Sequence, residues 1–193
     1  MGWMVELPEA EARAVYKDRL AIAALGVVEE RDKIRVVHDG SHRVHVNHRI
    51  RVRDQIRCPG AGEIRTLIQE RMELGAKSLA ILGDVSKAHR RIKVKEADWG
   101  FQACQLDPGS VWLNKVGTYG MSPAAYYRAR FAAAVVVRLG HYVAGKEGAL
   151  ELLLYVDDFL MLPYDKAGII FAGALIYLWV SSGVPVRWDK CRG

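Results

Sequence analysis

Three acids in this sequence are placed where they could do chemistry together. Asp157 and Asp158 are adjacent in LLLYVDDFLML, residues 152–162, between two apolar arms. A carboxylate that leaves water is costly unless something compensates it. A second carboxylate beside it raises the cost, because like charges disfavour each other's ionised form. The pair must therefore sit on an exposed turn or meet a cation. Asp84 ends a second apolar run, SLAILGD, residues 78–84. If the two runs are neighbouring strands, three carboxylates lie at their ends. Such a hard oxygen site suits magnesium, which keeps waters and takes carboxylates together with substrate phosphates. Two such ions roughly 4 Å apart clamp the attacking and leaving oxygens of a phosphoryl transfer. Two basic runs flank the acids. One holds Arg43, Arg49, Arg51, Arg53 and Arg57 among His38, His42, His45 and His48; the other holds Lys87, Arg90, Arg91, Lys93 and Lys95. They are either solvated faces or the surface that holds a polyanion by phosphate contact and counterion release.

The elements that must position these groups follow from pattern. Residues 9–30 carry apolar residues at helical spacing after early acids, which predicts a helix. Residues 33–37 are β-rich, Asp39-Gly40 marks a turn, and residues 44–53 alternate as a strand does. Pro59-Gly60 breaks that run, and residues 61–76 form an amphipathic helix. Residues 78–84 read as a short buried strand. Residues 99–106 and 110–116 flank an Asp-Pro-Gly turn and predict a hairpin. Ser122-Pro123 opens a long helix, residues 122–145. Residues 150–162 read as strand, tight turn, strand. A helix over residues 165–182 and a closing strand at VPVRW, residues 184–188, complete the chain. The expected class is α+β, with helices against one face of an antiparallel sheet.

Composition sets the frame. The chain has 193 residues, 51% hydrophobic and 26% charged, a core-forming balance. A net charge of +6 favours an anionic partner. Cys58, Cys104 and Cys191 have no metal spacing and no disulfide framework, so an intracellular, reducing location (cytoplasm or nucleus, not secreted) is expected. The N-terminus lacks a secretion-signal pattern. The apolar segment Ala167 to Val180 is shorter than the roughly 18 residues a membrane span needs, so it is expected as a buried helix, with no membrane partner.

The ordered motifs resemble the fingers and palm of reverse transcriptases. YVDD, residues 155–158, is similar to the family's third palm motif, an aromatic residue, a variable one and two aspartates on a hairpin. GDVSKAHRRI, residues 83–92, resembles the first, and GTYGMSP, residues 117–123, the second. GVPVRWDKC, residues 183–191, resembles the fourth, and KIRVVHDGSHRVHVN, residues 33–47, the fingers segment upstream. The resemblance implies an N-terminal helical segment at 1–32, a fingers-like segment at 33–77 and a right-hand palm at 78–193. It implies RNA-directed DNA polymerisation within a retrotransposon-like product, on an RNA or DNA template with a primer and deoxynucleoside triphosphates. Asp84, Asp157, Asp158 and the Val85 carbonyl would hold two Mg2+ ions, with Mn2+ as a substitute. Lys33 and Arg35 would meet the triphosphate, and Lys190 would give a proton to the pyrophosphate leaving group. His89, Gly120, Ser122 and Tyr155 would lie at the substrate.

The sequence departs from the family in four places. His89 stands where relatives have phenylalanine or tyrosine under the sugar. Gly117 and Thr118 replace the usual glutamine or phenylalanine and glycine. Gly40-Ser41 replace an aromatic or leucine and an arginine. The chain stops two residues after Cys191, so a thumb and other domains are expected in a parent polyprotein. Two alternatives remain beside the enzyme: a catalytically inactive or truncated remnant that at most binds nucleic acid, and an RNA-directed RNA polymerase. The four clustered histidines lack common zinc spacing. They are expected to be exposed or to contact a nucleic-acid backbone.

Overall fold

The structure, a computed structural model, describes residues 2–31, 33–55, 57–76, 79–144 and 149–193. The expected strand start at residue 78, the helix end at 145 and the segment boundaries at 32, 77 and 78 lie outside the described residues. In chain order the elements are β1 (Met4–Pro8), α1 (Glu9–Tyr16), β2 (Ile22–Ala23), β3 (Leu25–Glu30), β4 (Lys33–His38), α2 (Val46–Arg49), α3 (Ala61–Glu73) and β5 (Ile81–Asp84). There follow β6 (Ala103–Cys104), β7 (Ser110–Asn114), α4 (Ser122–Ala132), α5 (Leu139–Ala144), β8 (Leu150–Tyr155), β9 (Asp158–Pro163) and α6 (Lys166–Ser181). The chain divides into two compact units, Met1–Gln55 with His89–Arg128, and Ile56–Ala88 with Ala129–Gly193.

The first unit holds a sheet in the order β1-β7-β6-β2 and a separate two-stranded ribbon, β3-β4. The pair β2-β6 is parallel, so this sheet is mixed where a purely antiparallel one was expected. Ala12, Tyr16, Ala103, Val111 and Leu113 form its core under α1. A smaller cluster joins Val46 of α2 to Met121 and Ala124.

Three expectations fail in this unit, for identifiable reasons. The helix over 9–30 stops at Tyr16, and Lys17 takes a positive φ of 49°. The apolar residues beyond it are β-branched at several positions. They pair across the ribbon in six register steps, from Leu25 with His38 to Glu30 with Lys33. Tertiary pairing overrides a period that also fits a helix. Residues 44–53 are not a strand; they hold the short helix α2, entered through His45 at φ 53°. Asn47 explains this turn. Its side chain bonds Ser41 Oγ at 2.9 Å, the Gly120 carbonyl at 2.7 Å and the Ser122 amide at 2.9 Å. Finally, residues 96–102 form a 3-10 helix, and only Ala103–Cys104 pair with β7 as the expected hairpin.

The second unit holds the antiparallel sheet β5-β9-β8. Helices α5 and α6 pack on it, and its core contains Phe159, Met161, Leu175 and Trp179. Phe159 meets Trp179 edge to face, with centroids 5.2 Å apart. This geometry suits the ring quadrupoles. Asp165 caps α6 by accepting from the Gly168 amide at 2.9 Å. Gly168, Ala172, Leu175 and Trp179 face inward, while Ile169, Ile170, Tyr177 and Val180 are exposed. The segment is thus buried on one face only. Arg71 of α3 is buried and donates to the carbonyls of Leu162 and Pro163. The closing strand VPVRW is reduced to a bridge between Val186 and Val85, followed by a 3-10 turn at Trp188–Lys190. Residues 122–144 are helical with a π-helical stretch at Ala133–Arg138. Among the described residues no helix is long and apolar enough to cross a membrane.

Candidate active site

The hairpin β8-β9 sets the position of the acid pair. Tyr155 and Asp158 are its last register partners, so Val156 and Asp157 alone form the loop. Val156 has φ 54°. A positive φ at the first position of a two-residue loop is a place for glycine, and for a β-branched residue it is a strained conformation. Strain of this kind collects at functional sites.

β9 also pairs with β5, and the last register pair is Asp84 with Asp158. The Val85 amide donates to the Asp157 carbonyl at 2.8 Å. In an antiparallel ladder this bond makes Asp84 and Asp158 a non-hydrogen-bonded pair, with α-carbons about 4.5 Å apart and side chains on the same face. Two like charges directly opposite repel. The repulsion is offset by Lys190, whose Nζ donates to Asp84 Oδ2 at 2.7 Å. The Asp84 side chain is only 13% exposed and the Lys190 side chain 43%. Val85 is buried, and Tyr155 is exposed at the hairpin end.

The structure thus brings together Asp84, Val85, Asp157, Asp158, Tyr155 and Lys190 within one unit. Among the described residues, no group of three or more His, Cys, Asp and Glu side chains is gathered closely enough to hold a metal ion. The donor set still has the chemistry a hard divalent cation wants, oxygen ligands at adjacent strand ends. The Lys190 ammonium already supplies positive charge to one of them. In this arrangement the acids are not gathered about one point, and the cation standing at Asp84 is the Lys190 ammonium.

The remaining expected residues lie in the first unit. Lys33 and Arg35 stand on β4, and both are ion-paired to Glu30 of β3, at 3.2 and 2.6 Å. Burial raises the Glu30 pKa, but Lys33 and Arg35 together hold it below its ordinary value. Glu30 was not singled out from the sequence; only the pairing of β3 with β4 sets it opposite Lys33. The Arg35 guanidinium lies over the Tyr119 ring at 5.6 Å, and His89 stacks on the same ring, with centroids 4.7 Å apart. His89 is therefore packed on an aromatic and buried. Gly120 has φ +92°, and a Cβ there would run into the His38 carbonyl. Ser122 opens α4 with its amide bound by Asn47.

His38 corrects the expectation of exposed histidines. It is 1% exposed, and neither ring nitrogen has a hydrogen-bond partner among the described residues. Burial lowers its pKa to about 4, against a raising effect of Asp39 and with a further lowering by Arg90. The first unit also contains a cavity of about 750 Å³. Val46, Ile50, Phe101 and Met121 line it, with Arg19, Arg49, Lys93 and Lys95 around them. Its lining comes from several separate stretches, among them Gly117, Met121 and Pro123 of the GTYGMSP loop, and no single one of them marks a cavity.

No protein-family model matches the chain, and no curated protein matches it in sequence. Solved structures do. A foamy viral protease-reverse transcriptase in complex with double-stranded DNA is similar at a TM-score of 0.68 and 12% identity, over 98% of this chain. A mutant protease-reverse transcriptase of prototype foamy virus is similar at 0.66 and 13% identity, over 89% of this chain. The chain has a reverse-transcriptase-like fold. It spans 28% and 20% of those two proteins' lengths. At such identity the likeness concerns the fold alone.

Proposed function

We propose that the chain is the fingers-and-palm part of a retroelement reverse transcriptase, an RNA-directed DNA polymerase that transfers nucleotides onto a primer 3′-hydroxyl. One observation carries the reading: Asp84 and Asp158 are cross-strand partners beside a two-residue loop that bears Asp157. The reverse-transcriptase-like fold around that turn supports it. The similar foamy viral protein is seen with double-stranded DNA, and a template-primer duplex is the partner proposed here. Asp84, Asp157, Asp158 and the Val85 carbonyl would hold magnesium or manganese. When bound, the ions would supply charge stabilisation for the attacking and leaving oxygens.

The chain's own residues have distinct tasks in this reading. The two strands β5 and β9 fix the acids on a rigid ladder, so little ordering is left for the moment of reaction. Lys33 and Arg35 contact the triphosphate of the incoming deoxynucleotide. Tyr155, Gly120, Ser122 and the stacked His89 shape the surroundings of the substrate. Lys190 donates a proton to the departing pyrophosphate.

A second reading is a catalytically silent member of the same fold. The absence of a gathered three-acid group among the described residues and the Lys190 contact on Asp84 favour it. Primer extension decides between the two. The full-length product that carries this sequence is expected to extend a DNA primer on an RNA template, and Asp157→Asn is expected to abolish extension. A full-length product that binds duplex with no need of Asp84 or magnesium, and extends nothing, refutes the polymerase reading. Incorporation of ribonucleotides in preference to deoxyribonucleotides would make it an RNA polymerase instead.

A further inference from the structure

The segment that carries Lys190 is built in an unusual way. It runs beside β5 on the edge opposite β9. Its two ends are pinned: Leu82 and Arg192 exchange both backbone hydrogen bonds, at 2.8 and 3.0 Å, and Val186 bridges Val85. The Arg187 amide donates to the Asp84 carbonyl and the Ser86 amide to the Pro185 carbonyl, at 2.8 and 2.9 Å. Between the pins, β5 advances three residues (82 to 85) while the segment advances six (186 to 192). Three extra residues must therefore bulge out, and they are the 3-10 turn Trp188–Lys190. A bulge of this kind re-aims a side chain. Here it turns Lys190 back onto Asp84 Oδ2.

The contact is neither deep nor loose. Asp84 is mostly covered, whereas nearly half of the lysine side chain meets solvent. The backbone on both sides of the bulge is fixed, yet the lysine itself has a route into water. The ammonium sits on the carboxylate that the polymerase reading assigns to a divalent ion. An ammonium and a divalent ion held at the same carboxylate repel each other, so each weakens the other's hold on it.

We infer that Lys190 is an exchangeable internal counter-ion: it neutralises Asp84 when no divalent cation is present, and a divalent cation binds by displacing it. The inference rests on the proposed metal-binding role of Asp84. It has two consequences that do not involve catalysis. Lys190 competes with the cation, so removing its charge tightens cation binding. Cation binding in turn releases the amine into solvent, where it is reactive and free to meet an anionic group.

Manganese binding to the full chain, followed by electron paramagnetic resonance of the free ion, tests the first consequence. Lys190→Met is expected to bind Mn2+ more tightly than the unaltered chain, by up to about fivefold, the scale of a partly exposed charge pair. Lys166→Met, which removes a charge at the start of α6, is expected to change affinity less than about twofold, since exposed charges at a distance are screened. Asp84→Asn is expected to lose the site. The second consequence needs no variant. Acetylation of Lys190 by a water-soluble ester, read by mass spectrometry, is expected to accelerate when Mn2+ is added. If Mn2+ binds through Asp84 but Lys190→Met binds no more tightly and labelling does not change, the exchange is overturned and the polymerase reading stands. If no form of the chain binds Mn2+ through Asp84, both are overturned.

Discussion

His38 should make the first unit sensitive to mild acid. The residue ends β4, its amide donates to the Tyr119 carbonyl at 2.9 Å, and its carbonyl lies against Gly120. Its imidazole is almost fully buried, and burial holds its pKa near 4, below the ordinary 6.5. The folded state therefore disfavours a proton that the unfolded state accepts. The sign follows from linkage: stability is fully present above the unfolded pKa and falls as pH drops from about 6.5 toward about 4. Every tenfold difference in proton affinity between the two states is worth about 1.4 kcal/mol, so the whole loss approaches roughly 3 kcal/mol, of which about 2 kcal/mol is reached by about pH 5. Urea denaturation of the unaltered chain and of His38→Gln, at about pH 7.5 and about pH 5, measures this. The unaltered chain is expected to lose about 2 kcal/mol more than the variant between the two conditions. Other carboxylates and histidines titrate in both proteins and cancel in the difference. His45→Gln, at an exposed position in the same run, is expected to follow the unaltered chain. Parallel pH dependences for the unaltered chain and His38→Gln would refute the reasoning, because they would mean that His38 is protonated equally in both states.

Three further perturbations follow from the packing. Gly83 lies beneath Phe159, and a Cβ at this position would run into the ring, so Gly83→Ala is expected to cost about 1–3 kcal/mol in urea denaturation. The loss should shrink when Phe159 is also reduced to leucine. Asn47→Ala removes bonds to Ser41, Gly120 and Ser122 and leaves a carbonyl and an amide without their partner; a loss of about 2 kcal/mol is expected in the same assay. Val156→Gly relieves a positive φ at a β-branched residue, and strain relief of about 1–3 kcal/mol exceeds the roughly 0.5–1 kcal/mol entropic cost of glycine. A modest rise in thermal midpoint is expected.

The residues legible in advance were those whose signal is local. The hairpin at 150–163 was readable because apolar arms of strand length enclose two polar positions, and the observed register puts the loop at Val156 and Asp157. The helix beginning after Asp165 was readable from its long apolar run, and the structure adds the Asp165 cap. The juxtaposition of Asp84 with the hairpin was conjecture from sequence; only the ladder between β5 and β9 placed it opposite Asp158. The early helix failed at Tyr16 because residues 20–30 satisfy helical and strand periods alike, and distant partners decided the matter. Residues 44–53 failed because Asn47 is engaged by residues more than seventy positions away.

By itself, then, the chain's order of residues determined which groups could do chemistry and which short segments would carry them. Periodicity, caps and turn residues act over a few positions, and so they can be read in one dimension. Which acid faces which, why Lys190 reaches Asp84 across 106 positions, and why His38 is neutral and buried were decided by tertiary structure. Strand pairing, a three-residue bulge and burial set those distances and charges, and each depends on segments that no local pattern connects.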